Sequence, residues 1–324
     1  MGALSLIHQA DLVRAVEVAA RTLGGVAERL PAADLARVLY TDWYAAAVPT
    51  TGPVGAVTSA VADRPGLPLA AVLRAVHPDA EQWQAAVVLR SALRGTVLVR
   101  LADGIRALAR GDVAPTADRH LGAILEPGDP VLVRVRTGGL VEDGWWRTWG
   151  GGCAAGHPPA AQLTRIYLAP QPESIHVLLP GVLRILRDLG SPWLVKVGAH
   201  RTMLARPDGV VVYLPDPVAG LATGTSGPVV QRLADAAAGL VRDARPALTA
   251  PVAPGISWVQ DPGDGSSFGE TVCRVLARPL LAAHPAPDAV AAPQRLLPLL
   301  QDALSGAGID PRAPHLRPIA PHAA

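Results

Sequence analysis

Lysine is almost missing from this sequence: of 29 basic residues in a chain of 324, only Lys196 is lysine. Phenylalanine occurs once, methionine and cysteine twice each, and aromatic residues make up 4% of the chain. Cys153 and Cys273 stand far apart without CxxC or Cys/His ligand spacing, which excludes a disulfide framework or a structural zinc site and indicates two buried thiols. No metal motif and no cofactor motif is present. No apolar run reaches the roughly 18 to 20 residues that span a bilayer. The N-terminal stretch MGALSLIHQADLVRAVEVAARTLGG carries charges where a signal peptide needs an apolar core, so no membrane partner and a cytoplasmic location are expected. A formal net charge of only +2, with the basic residues scattered, argues against a nucleic-acid partner.

What the chain does have is apolar bulk. Half of its residues are hydrophobic, enough to bury a sizeable core in two domains. Ala, Pro, Gly and Val are heavily used, as in a GC-rich coding sequence where lysine drifts to arginine wherever the exchange is harmless. The exchange is not harmless where a side chain must lose its proton. Arginine, with a pKa above roughly 12, cannot act as a base, whereas a lysine can be tuned to about 7 or 8 by burial and cationic neighbours. Lys196 is therefore the leading candidate for a catalytic base.

The periodicity predicts an α+β protein. The segments DLVRAVEVAARTLGGVAERL and DLARVLYTDWYAAA place apolar residues at helical spacing, with helices expected to continue to about residue 112 and to form a helical N-terminal region over 1–115. Asp34 is a candidate N-cap, and Leu35, Val38, Leu39, Trp43 and Tyr44 a buried stripe read as core rather than ligand site. From about residue 128 strand-like alternation begins, opening a β-sheet domain with flanking helices over 120–324. Trp145, Trp146 and Trp149, beside three glycines, read as a packed hairpin. TRIYLAP, HVLLPGVLRILRDLG, PWLVKVGA and ARPDGVVVYLPDP then follow in β-α-β-β order. A further helix is expected over 226–246, and another opening near Ser267 after a polar turn. Period-two alternation sends Lys196 to the face opposite Val195 and Val197, and Arg165 and Tyr167 to a common face. If these strands share a sheet, a cationic and phenolic cluster forms on one surface, and Arg206 and Tyr213 can join it.

LARVLYTDWYA, RIYLAP, WLVKVGA, ARPDGVVVYL, GISWVQDPGDGSSFGE and IDPRAPHL, in this order over about residues 35–316, resemble the Hop A-type effector-like family of bacteria. Its actinobacterial members resemble the phosphoserine/phosphothreonine lyases of class V lanthipeptide and thioamitide biosynthesis, which work with a separate peptide kinase. A more distant similarity is to secreted phosphothreonine lyases, with the same strand, helix and Trp-Lys-Val-type strand. That resemblance implies Lys196 as base, Arg165 and Arg206 as phosphate-contacting cations and Tyr213 as a supporting tyrosine. Where those lyases have a histidine acid, this chain has Tyr167, with His200 and His176 as nearby alternatives. Many relatives carry an arginine four residues after the Phe of the SFG segment; here that position is Val272, and Arg274 is the candidate substitute.

The implied reaction removes a Cα proton from phosphoserine or phosphothreonine in a precursor peptide and expels phosphate, leaving dehydroalanine or dehydrobutyrine without a metal. The competing expectation is a catalytically inactive module of the same fold that binds a phosphopeptide, a leader peptide or the kinase. A nucleotide enzyme is disfavoured, because GGVAER and TGTSGP lack the GxxxxGK[ST] pattern.

Overall fold

The computed structural model describes residues 5–24, 30–46, 69–75, 81–91, 95–102, 104–116, 124–136, 138–151, 153, 163–221, 227–261, 266–283 and 293–316. The chain opens with helix α1 (Leu6–Gly24) and α2 (Ala32–Leu39), and α2 runs on into one π-helical turn, Tyr40–Tyr44. The stripe expected on this segment is buried at Leu35, Leu39, Trp43 and Tyr44, with Val38 partly buried against it. Asp34 is not the N-cap. Pro31 holds that position, and Asp34 sits in the first turn paired with Arg37 at 2.5 Å.

Helix α3 (Leu69–Ala75) is followed by strands, not by the helices expected up to residue 112. Strands β1 (Glu81–Ser91), β2 (Thr96–Leu101), β3 (Gly104–Ala109), β4 (Val113–Pro115) and β5 (Pro130–Arg136) form an antiparallel sheet in the order β3-β2-β1-β5-β4. This stretch is rich in Ala, Leu and Arg, which favour helices, so local propensity points the wrong way. The outcome is set by Val88, Val97, Val99, Val131 and Val133, which alternate onto one buried face.

The second sheet has seven strands: β6 (Gly138–Glu142), β7 (Trp145–Gly150), β8 (Leu163–Leu168), β9 (Trp193–Gly198), β10 (Val210–Pro215), β11 (Ala250–Ala253) and β12 (Ile256–Gln260). Their order is β11-β12-β8-β10-β9-β7-β6, with every neighbouring pair antiparallel. The expected β-α-β-β order holds: α4 (Ile175–Arg187) joins β8 to β9, and β10 returns between them after the short α5 (Arg201–Leu204). The three tryptophans lie on the β6–β7 hairpin.

Both faces of this sheet are covered. Ile166, Leu168, Val195, Val197, Val212, Trp146 and Trp258 pack with α4 and with α7 (Pro228–Ala237), which follows the short α6 (Asp216–Ala219). The helix expected over 226–246 ends at Ala237, and Gly239 follows with φ 73°, a left-handed conformation that glycine takes without steric cost. On the other face α1, α2, α8 (Phe268–Ala283) and α9 (Leu297–Gly306) share a core with Trp149, Tyr167, Leu194, Val211, Tyr213 and Val259. The start of α8 is fixed by a reciprocal capping box: Glu270 N–H donates to Ser267 Oγ and Ser267 N–H donates to Glu270 Oε2, each at 3.1 Å. Cys153 and Cys273 are both buried, as expected. No helix among the described residues is long and apolar enough to cross a membrane.

Candidate functional site

The helix-covered face that carries Lys196 is built by register. Val211 on β10 stands opposite Tyr167 of β8 on one side and Lys196 of β9 on the other. The row continues to Ser257 on β12 and Arg147 on β7. One pleat along the strands, Tyr213 stands opposite Arg165 and Leu194. Because side chains alternate with period two, these two rows project to one face, and Lys196, Tyr167, Arg165 and Tyr213 gather there. The Lys196 ammonium lies 5.2 Å from the centre of the Tyr213 ring, and the Arg165 guanidinium 5.3 Å from it. Among the described residues Lys196 has no carboxylate partner.

The arginines are held differently. Arg165 donates from Nε to Asp261 at 2.7 Å and from a terminal nitrogen to the Ser266 carbonyl at 2.8 Å, and the ion pair is almost wholly buried, with side chains 8% and 11% exposed. Burial works against its charge, but Tyr213, Tyr167 and Asp261 more than offset this and hold its pKa above the usual arginine value. Arg206, in the turn before β10, closes on both oxygens of Asp208 at 2.8 Å. It also donates to the Tyr40 hydroxyl at 3.0 Å and stacks over the rings of Tyr40 (5.2 Å) and Trp145 (5.6 Å). Burial pushes the Asp208 carboxyl up, and the two bonds from Arg206 oppose that shift.

A phenol chain runs from Arg206 to Tyr167. Tyr40 stacks on Tyr44 with ring centres 5.7 Å apart, and the Tyr44 hydroxyl donates to Tyr167 at 3.2 Å. Burial raises all three phenols, Tyr40 to about 12, so each keeps its proton at neutral pH. Since Tyr167 oxygen accepts from Tyr44, its own O–H stays available as a donor. The π-helical turn places both Tyr40 and Tyr44 over the sheet. The stripe read as core is therefore core and site together, and its hydroxyl chemistry was missed; the spacing of Tyr40, Trp43 and Tyr44 gave no sign of it. Asp208 and Asp261 were missed as well. Arg206-x-Asp208 within one turn was the available signal for the first, whereas Asp261 meets Arg165 only through the β8–β12 pairing.

Three candidates lie elsewhere. Arg274 is exposed on α8, whose inward stripe is Phe268, Val272, Cys273, Leu276 and Leu280, so it does not replace a cation at position 272. Val272 is fully buried in the core. His176 caps back onto the Glu173 carbonyl at 2.8 Å at the start of α4, on the opposite side of the sheet. His200 is exposed beyond the end of β9. No group of three His, Cys, Asp or Glu side chains among the described residues is placed to hold a metal ion.

The sequence profile of the HopA1 effector protein family matches residues 153–316, the part that carries the seven-stranded sheet from β8 onward with α8 and α9. No curated protein matches the chain at a significant level. The solved structure of the effector protein from Pseudomonas syringae pv. tomato strain DC3000 is similar over 97% of this chain and 100% of its own, with a TM-score of 0.52 at 14% identity. That of the effector protein from Pseudomonas syringae pv. syringae strain 61 is similar over 98% and 100%, with a TM-score of 0.52 at 16% identity. At this identity the likeness is one of fold.

Proposed function

The chain belongs to the HopA1 effector protein family, and from that premise we propose that it is a cytoplasmic lyase that eliminates phosphate from phosphoserine or phosphothreonine in a ribosomally made precursor peptide. The observation that carries this reading is the pairing of Lys196 and Tyr167 across Val211. Two strand spacings, about 10 Å, separate their backbones. Their side chains rise from one face with Val211 between them, so a substrate laid across Val211 meets an amine on one side and a phenol on the other. The Lys196 amine takes the Cα proton; the electron pair of the C–H bond becomes the Cα=Cβ bond, and the Cβ–O bond breaks. Phosphate leaves with that bonding pair, and Tyr167 donates to the bridging oxygen. General base and general acid each contribute on the order of 10²–10⁴ in rate. A separate peptide kinase supplies the phosphorylated substrate.

The test is to incubate the protein with phosphothreonine and phosphoserine peptides and follow peptide mass together with free phosphate. Loss of phosphoric acid and a product that adds a thiol are expected. Lys196→Arg keeps charge and approximate reach but not deprotonation, so turnover should fall at least about 10²-fold while phosphopeptide binding is retained. Turnover that survives this change removes Lys196 from the mechanism.

A second reading, a module without turnover that binds a leader peptide or the kinase, is favoured by one observation: both arginines that the resemblance assigns to phosphate are closed on carboxylates of the same chain. Such a protein leaves the mass of a phosphopeptide unchanged.

A further inference from the structure

Arg147 on β7 is the antiparallel partner of Lys196 on β9. Opposed side chains on such strands have Cβ atoms about 4.5–5.5 Å apart, which sets the Arg147 guanidinium beside the Lys196 amine. The arginines of this face differ in how replaceable their partners are. Asp261 and Asp208, which hold Arg165 and Arg206, have side chains only 11% and 5% exposed. Arg147 meets Glu142 at 2.6 Å, and there the arginine is 13% exposed but the glutamate 52%. Arg147 Nε is buried and has no hydrogen-bond partner among the described residues. An incoming anion that took Asp208 or Asp261 off its arginine would leave a buried carboxylate without a counter-ion, a costly outcome. One that displaced Glu142 would send an already exposed carboxylate into water. The β7–β9 end of the face thus presents a guanidinium beside the Lys196 amine, one N–H without a partner among the described residues and one easily replaced carboxylate.

We infer that Arg147 is the residue that receives the substrate's phosphate, through the edge that now holds Glu142 and through its free Nε, with Lys196 beside it. The inference rests on the proposed function only in taking a phosphorylated peptide as the ligand. Binding of a fluorescent phosphothreonine peptide and of its unphosphorylated twin is measured in the Lys196→Arg background, which blocks turnover, for Arg147→Gln, Arg147→Lys, Glu142→Gln and a control, Arg232→Gln, whose exposed ion pair with Asp188 lies on α7. Arg147→Gln should weaken the phosphopeptide roughly tenfold or more, as expected for a lost charge-assisted bidentate contact, and leave the twin unchanged. Glu142→Gln should tighten the phosphopeptide, and Arg232→Gln should change nothing. If Arg147→Gln does not fold, an intermediate loss in Arg147→Lys together with tightening in Glu142→Gln carries the same conclusion. Phosphopeptide affinity within twofold of the parent in both Arg147 variants, or an equal loss for both peptides, overturns the assignment. Phosphate release by the unmodified protein is scored separately. Arg147-dependent binding without release sinks the lyase and keeps this site, whereas release that is indifferent to Arg147 does the reverse. Absence of phosphate-selective binding in the parent overturns this site, and absence of release by the unmodified protein overturns the lyase.

Discussion

The two faces of the seven-stranded sheet are made by alternate residues of the same strands, yet they differ in kind. On the α4/α7 side, Ile166, Leu168, Val195, Val197 and Val212 meet apolar helix stripes, and each large side chain contributes about 1.5–3 kcal/mol by leaving water. On the other side the same strands present Arg165, Tyr167, Lys196 and Tyr213, and the helices answer with Tyr40 and Tyr44 instead of leucines alone. The apolar face fixes the register, because a one-residue slip would turn its whole set outward. The polar face inherits that register, and so an arrangement of charges that would not form by itself is held in place.

Removing Asp261 should break the polar face most severely. In Asp261→Ala the Arg165 guanidinium is left buried without its carboxylate, and a loss of about 3–5 kcal/mol is expected in denaturant unfolding. Replacement of Gly269 probes the cover of that face. A Cβ there would overlap the Tyr44 ring, so Gly269→Ala should cost about 1–3 kcal/mol by overpacking and shift the Tyr44–Tyr167 contact, read from thermal unfolding and tyrosine fluorescence. A milder effect is expected of pH where α1 meets the C-terminal segment. His8 and His315 lie with ring centres 6.2 Å apart. Burial pushes both down, His315 to about 4, with Arg245 also lowering His8 and Asp11 opposing. Their neutral forms belong to the folded state, so their contribution is complete above the unfolded value of 6.5 and is lost as pH falls toward the folded one. The thermal midpoint should drop on going from about pH 7 to about pH 5, and less so in His315→Phe. On the apolar face Ile166→Val should cost only about 0.5–1.5 kcal/mol and leave phosphopeptide binding and turnover untouched. A loss of binding or turnover in Ile166→Val would mean that the faces are not independent.

Anchoring of α1 shows the same division of labour on a smaller scale. Asp11 accepts from Arg245 and from the Leu248 N–H, each at 2.9 Å, and its carbonyl accepts from the Trp43 indole at 2.8 Å. Leu248 is fully buried with φ 61°, a left-handed conformation that a leucine adopts only where its surroundings hold it. Asp11 reads as an ordinary polar helix position in the sequence, and nothing local distinguishes it.

Strand alternation in RIYLAP, WLVKVGA and GVVVYL was enough to assign β8, β9 and β10 and to say which side chains share a face, because period two follows from backbone geometry alone. The helix opening near Ser267 was legible too, and the capping box that fixes it joins partners only three residues apart. The lone lysine was conspicuous by composition. Residues 81–115 were misread because Ala, Leu and Arg favour helix locally, and their strand pairing is stabilised by contacts with β5, far along the chain. The commitment of Arg165 to Asp261, the descent of Tyr40 and Tyr44 onto the sheet and the placing of Arg147 beside Lys196 depend on which strands and helices become neighbours. That choice belongs to the tertiary structure, since hydrogen bonds and charges across 96, 123 and 166 residues of chain acquire their partners only once the two apolar layers have packed.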